Sequence, residues 1–270
     1  DALLEQKLFQ PKVAIVLGSG LGPLADEVQN PFAVPYSEIP GFPKTHAVGH
    51  AGQLIFGFLG GIRVVLMQGR AHRYEGWTPE EVAFPTQVMR ALGTETLIAT
   101  NAAGGLNARF RVGDLMVIDS HFDWLWHRAG KSTANANVAR SSTDSPQRLG
   151  QPYDRELMKQ AKRIALKYAI PLHQGCYMAT LGPTYETRSE YGMFRWMGAD
   201  AVGMSTVPEV LTARELGMQV LAFSVITNVA STDVPQATTH DEVVESGKAA
   251  GPKLIRIIQN LLDEWSGEPD

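Results

Sequence analysis

Short, almost unbroken apolar runs recur along the chain: Val13 to Leu17, Leu54 to Leu59, Arg63 to Met67, Thr96 to Thr100, Leu115 to Asp119, Cys176 to Leu181, Ala201 to Met204 and Val220 to Ile226. Strands with one face in water alternate apolar and polar residues, and most of these do not. A sheet covered on both faces is therefore expected. Helical patterns lie between the runs. Thr78-Pro79-Glu80-Glu81 opens one, with Thr78 as N-cap, Pro79 at the first helical position and Glu81 closing a capping box. Tyr153 to Tyr168 is amphipathic and stopped by Pro171; Glu186 to Met197 and Pro208 to Leu216 follow; Asp241 to Trp265 is last, with a bend expected at Pro252. Alternating strands and helices predict an α/β domain with a mainly parallel sheet. Gly60-Gly61, between two strand runs, reads as a hairpin and makes that sheet mixed.

The 270 residues suit one large domain or two small ones, and no composition break divides them, so a single domain over 1–270 is expected. Apolar residues at 44% and charged residues at 19% exclude a disordered chain. The net charge of −4 and scattered basic residues argue against nucleic acid as a partner. Cys176 is the one cysteine, which excludes an intramolecular disulfide framework and suits a cytoplasmic location. No apolar run approaches the ~18 residues of a membrane span, and DALLEQKLFQ has no signal-peptide h-region. Residues 128 to 151 are polar and aperiodic, as in a long surface loop.

VAIVLGSGLG, residues 13 to 22, is a strand feeding a glycine-rich turn, the way chains approach dinucleotides, nucleoside triphosphates or free phosphate. Pro23 stands where the dinucleotide fingerprint needs its third glycine, and the lysine of a Walker loop is missing. What remains is Gly18-Ser19-Gly20, whose backbone N–H groups and hydroxyl suit an anion; alone it is as readily a tight turn.

Polar groups at later strand ends favour the anion. Arg70, His72 and Tyr74 alternate in MQGRAHRYEG, so an extended chain puts a cation, an imidazole and a phenol on one face. TNAAGG (Thr100 to Gly105) supplies small residues that let backbone approach a ligand. In VGMSTVPEV, Ser205 and Thr206 precede a helix start, either as an anion site or as a plain N-cap. Glu186 beside Tyr185 in GPTYET, and Asn228 ending the SVITN strand, can read the edge of a heterocyclic base. Glu186 also suits an ordinary helix start, and His240 or Thr239 a helix cap. The seven histidines show no paired metal-ligand spacing and no Gly-x-Ser-x-Gly elbow occurs, so neither a metal centre nor a covalent serine mechanism is expected.

Taken in order, Gly18-Ser19-Gly20-Leu21-Gly22, GHAG, QGRAHRYEG, TNAAGG, GPTYET, GMSTVPEV and TN followed by HDEV resemble the trimeric, low-molecular-mass class of purine nucleoside phosphorylases over about residues 10 to 260. The resemblance implies a three-layer αβα sandwich with a mixed, distorted central sheet. It implies a homotrimer with active sites near subunit interfaces, and no metal or organic cofactor, inorganic phosphate being a co-substrate. The implied reaction is reversible cleavage of a purine (deoxy)ribonucleoside by phosphate to free base and (deoxy)ribose 1-phosphate. Phosphate contacts fall on Ser19, His50, Arg70, His72, Ala102 and Ser205; sugar contacts on Tyr74, Met204 and His240; base contacts on Tyr185, Glu186 and Asn228, with Glu75 orienting the Arg70–Tyr74 segment. His72, Glu186 and Asn228 are the residues to which it assigns catalysis. Asn rather than Asp at 228 suits 6-oxopurines, whereas a related methylthioadenosine phosphorylase would carry Asp there. Two departures stand out. Tyr185 replaces the family's usual Phe. FDWLWH, then a stretch without aromatics, replaces the loop whose Phe enters the neighbouring subunit's sugar site, leaving Phe122, Trp124 or Trp126 to close the site. A methylthioadenosine phosphorylase and a non-catalytic nucleoside binder are the competing readings.

Overall fold

The computed structural model describes residues 9–45, 51–125, 151–229 and 240–267, with only the backbone described at residues 240 and 241. His50, Trp126 and nearly all of the polar stretch 128 to 151 lie outside the described residues.

The elements in chain order are β1 (Val13–Leu17), β2 (Gln29–Pro35), β3 (Gln53–Leu59), β4 (Ile62–Gln68), α1 (Pro79–Ala91), β5 (Thr96–Gly105), β6 (Leu115–Trp124), α2 (Arg155–Lys167), β7 (Leu172–Thr180), α3 (Arg188–Met197), β8 (Ala201–Gly203), α4 (Val207–Glu215), β9 (Gln219–Val229) and α5 (His240–Ser266). Every residue of β1 is buried, as a strand covered on both faces requires. β3 and β4 form the expected hairpin, with Gly60 and Gly61 at φ 56° and 75°, the positive values a two-residue turn of this kind needs. Thr78 caps α1 through the expected capping box, its Oγ1 accepting from the Glu81 N–H at 3.2 Å while Glu81 accepts from the Thr78 N–H at 2.8 Å. Pro252 sits within α5 and does not end it.

The sheet is mixed and runs β2-β3-β4-β1-β5-β8-β7-β6-β9, with β9 returning to pair with β5. Five strands therefore close a ring, and the sheet is distorted where they do. Helices flank it in two packed groups, α1 with α4 and α2 with α5, which completes a three-layer α/β architecture. No helix among the described residues is long and apolar enough to cross a membrane.

Two segments differ from their expected form. TNAAGG is not a turn after β5 but its second half. There β5 pairs with both β8 and β9, and a Cβ on Gly105 would come within 2.9 Å of Ile226. The small residues let strands converge. β2 has no counterpart among the apolar runs: it is an outer strand carrying Pro31 and Pro35, with only Phe32, Val34 and their alternation to mark it.

Candidate active site

Arg70 is 2% exposed, yet its guanidinium reaches a cleft at the end of the strand ring. A buried cation needs partners. Nη1 lies 3.2 Å from Glu209 Oε1 and donates to Thr206 Oγ1 at 3.0 Å, and Nη2 donates to the Thr100 carbonyl. Glu209 stands in the first turn of α4, so the helix supplies the carboxylate that holds the arginine. The expectation for Ser205-Thr206 as a plain N-cap is not met. Thr206 makes no cap bond, and its hydroxyl turns inward to Arg70 and, at 2.9 Å, to Asn101 Nδ2.

Arg70, His72 and Tyr74 all line the cleft, although not as one extended strand. β4 ends at Gln68 and Arg73–Glu75 is a 3-10 turn. Glu75 makes that turn by accepting from the His72 N–H at 2.7 Å and pairing with His72 Nδ1 at 3.1 Å. This fixes the imidazole, which stacks on Tyr74 with centroids 4.8 Å apart. Of the glycine loop, Gly18 and Ser19 line the cleft, and because the Gly18 N–H is already taken by Thr100 Oγ1 at 2.9 Å, the polar groups the loop offers there are those of Ser19.

Glu186 lies outside α3: Thr187 is the N-cap and its capping box is with Glu190, so Glu186 is not needed to start the helix. Instead the Thr180 hydroxyl donates to Glu186 Oε1 at 2.9 Å, and Tyr191 adds a second side-chain hydrogen bond. Burial pushes the Glu186 carboxyl above the ordinary glutamate range, partly offset by a backbone hydrogen bond and by these hydroxyls. Burial and the neighbouring carboxylate push the Tyr191 phenol up to about 12. Asn228 enters from β9 just past a register shift, opposite Gly104, where a Cβ would lie 3.3 Å from Asn228 Nδ2.

Ser19, Arg70, His72, Tyr74, Ala102, Tyr185, Glu186, Met204, Ser205 and Asn228 thus line one cleft. His240 begins α5, three residues before the cleft-lining Val243, but its side chain lies outside the described residues, as does all of His50. Phe122 and Trp124 do not line this chain's own cleft. They pack on a small core of Leu106, Met178, Phe194, Ala199 and Val202, with Trp124 edge-on to Phe194 at 6.4 Å. Sequence reasoning missed Glu209, Asn101 and Thr180. Each lies in or beside a quoted motif, but its role depends on a partner distant in the chain.

The positions along β5 set the cleft's length. Thr100 and Asn101 hold the Arg70 end and Gly104 faces Asn228, so the two ends are about 10 Å apart at ~3.3 Å per residue.

A family model described as the phosphorylase superfamily matches residues 12–263. The chain is 43% identical over 265 residues to purine nucleoside phosphorylase 1 of Bacillus subtilis, covering 98% of this chain and 96% of that one. Its structure is similar to that of Schistosoma mansoni purine nucleoside phosphorylase in complex with adenosine, with a TM-score of 0.86 and 38% identity over 100% of this chain and 96% of that one. The same enzyme in complex with inosine superposes with a TM-score of 0.85 at 37% identity, over 100% of this chain and 94% of that one. With its matched model, full-length relatives and shared fold, this chain belongs to the phosphorylase superfamily, among the purine nucleoside phosphorylases.

Proposed function

We propose that the cleft carries out reversible phosphorolysis of 6-oxopurine (deoxy)ribonucleosides such as inosine and guanosine, giving free base and (deoxy)ribose 1-phosphate. The observation that carries this reading is one cleft with a buried Arg70 and two serines at one end and Glu186 with Asn228 at the other, Tyr74 and Met204 also lining it. Ser19, Arg70, His72, Ala102 and Ser205 hold phosphate, with His50; Tyr74, Met204 and His240 hold the sugar; Tyr185, Glu186 and Asn228 hold the base. Both ends are needed at once. As the glycosidic bond breaks, positive charge builds on the sugar and negative charge on the purine. The phosphate stabilises the first and attacks it. Asn228 donates to the departing base, a contact that strengthens as negative charge moves onto the ring, while Glu186 accepts from its N1–H and orients the base for that contact.

The reaction requires no metal or organic cofactor, phosphate being consumed as a co-substrate. We place the enzyme in the cytoplasm as a single domain and a homotrimer. Support for assembly comes from α3 and the turn before it, where Leu181, Tyr185 and Met193 are exposed and Trp196 is 87% exposed.

Purified protein is expected to release hypoxanthine from inosine only when phosphate is present. Equal rates without phosphate would indicate a hydrolase, faster consumption of 5′-methylthioadenosine the related phosphorylase, and stoichiometric binding without release a nucleoside-binding protein.

A second expectation concerns α5. A Cβ on Gly247 would lie 2.7 Å from the Ser19 carbonyl oxygen, and one on Gly20, at φ 81°, 2.7 Å from the Gly247 Cα. The phosphate loop and the helix carrying His240 therefore touch backbone to backbone. Alanine normally favours a helix interior over glycine by about 0.5–1 kcal/mol. Gly247→Ala is nevertheless expected to raise the KM for phosphate several-fold by displacing Ser19, which steady-state kinetics at saturating inosine would read out.

A further inference from the structure

Thr206 occupies a conformation that a β-branched residue rarely adopts, φ 75° and ψ −47°. The Val207 N–H donates to the Ser205 carbonyl at 2.8 Å, closing a three-residue turn around it. Strain of this kind persists only where the surroundings enforce it. Its consequence is where the hydroxyl points: Thr206 is fully buried and faces Arg70 and Asn101 rather than the helix it precedes.

A hydroxyl has one proton and two lone pairs. Thr206 Oγ1 accepts from Arg70 Nη1 at 3.0 Å and from Asn101 Nδ2 at 2.9 Å, which occupies both lone pairs. Its proton then goes to the remaining neighbour, Ser205 Oγ at 3.3 Å. Ser205 also meets the Tyr177 hydroxyl, which accepts the Ser205 N–H at 3.4 Å and makes a hydrogen bond with the Ser205 side chain as well. Having received the Thr206 proton, the Ser205 hydroxyl has two acceptors within reach for its own, Tyr177 and an anion in the cleft it lines, and a phosphate oxygen is the stronger because the bond to it is charge-assisted.

We propose that Thr206 is a positioning residue that passes the polarity of Arg70 through Ser205 to the bound phosphate, making Ser205 an obligate donor to an unprotonated phosphate oxygen. The proposal rests on the reading of this cleft as a phosphate site. The chain from Arg70 through Thr206 and Ser205 to the anion is head-to-tail, so each bond polarises the next. It also gives the strained turn a purpose: with an ordinary helical φ, the hydroxyl would face the α4 terminus and the relay would be cut.

The test uses Thr206→Val, which removes the hydroxyl at nearly constant shape, Thr206→Ala, which removes it while easing the backbone, and Thr206→Ser, which keeps it. Phosphate affinity is measured by titration calorimetry, and KM for phosphate and for inosine by steady-state kinetics. Thr206→Val and Thr206→Ala are expected to weaken phosphate about tenfold or more, the loss that follows when a charge-assisted hydrogen bond goes, with the KM for inosine changed less than about twofold. Thr206→Ser is expected to stay within about threefold of the parent. In a Ser205→Ala background, removing the Thr206 hydroxyl is expected to add almost nothing. Full multiplication of the two effects, an unchanged phosphate affinity, or a non-additive pairing with Asn101→Ala in place of Ser205→Ala would overturn the relay. If Thr206→Val does not fold, Thr206→Ala decides. If the parent binds phosphate but does not cleave inosine, the proposed function fails, and the calorimetric series still judges Thr206.

Discussion

Asn228→Ala is expected to lower kcat/KM for inosine about 10²–10³-fold, the effect of deleting one preorganised donor to developing charge. Asn228 ends β9 where the register slips against β5, and Gly104 opposite it leaves room for the amide. The side chain is thus placed by two backbones rather than by a flexible loop, so its contact needs little reorganisation when charge reaches the purine. Phosphate affinity should change little, because Arg70 and Ser205 are held about 10 Å away along β5. Asn228→Asp separates recognition from turnover. The carboxylate cannot donate to a 6-oxo group but can accept from a 6-amino group, so guanosine and inosine are expected to lose about 10–100-fold relative to adenosine, the range set by one unpaired polar group. Rates on the three nucleosides measure this directly, and an unchanged preference would remove Asn228 from base recognition.

How legible these positions were depended on how local their causes are. β1 could be bounded to the residue because burial on both faces leaves an uninterrupted apolar run. The β3–β4 turn and the α1 cap are likewise written in adjacent residues. TNAAGG is different: Ala and Gly have no strand preference, and they form a strand because β8 and β9 close on it from both sides. The Arg70–Tyr74 alternation suggested an extended segment, but the Glu75 carboxylate folds it into a turn, and the three side chains reach the cleft by that route. Glu186 could be read as a helix start until Thr187 and Glu190 supplied the cap. The partner of Arg70 was least legible. Nothing around Glu209 distinguishes it from any acidic residue in a first helical turn until α4 is docked on the sheet.

That pairing makes Arg70 the position where stability and ligand binding can be pulled apart. Arg70→Met leaves Glu209, 1% exposed, without its cation, and Oε2 of that carboxylate already has no hydrogen-bond partner. Breaking a buried ion pair on one side costs about 3–5 kcal/mol, because the remaining charge is stranded. At ~2–4 °C per kcal/mol for a chain of this size, the melting temperature should fall by roughly 6–20 °C. Arg70→Met combined with Glu209→Leu removes both charges, and an apolar replacement of a buried pair is commonly neutral or stabilising. The double variant should therefore regain most of the lost stability while the Thr100 carbonyl and Thr206 still lack their donor. Its phosphate affinity should stay at least about 100-fold below the parent's, since the cation at that end of the cleft is gone. Thermal unfolding and phosphate titration on the parent, the single and the double variant give the two readings separately. A double variant that binds phosphate normally would make Arg70 a structural tie for α4 and nothing more. One that stays as unstable as the single variant would shift the weight from the Glu209 pair to the hydrogen bonds at Thr100 and Thr206.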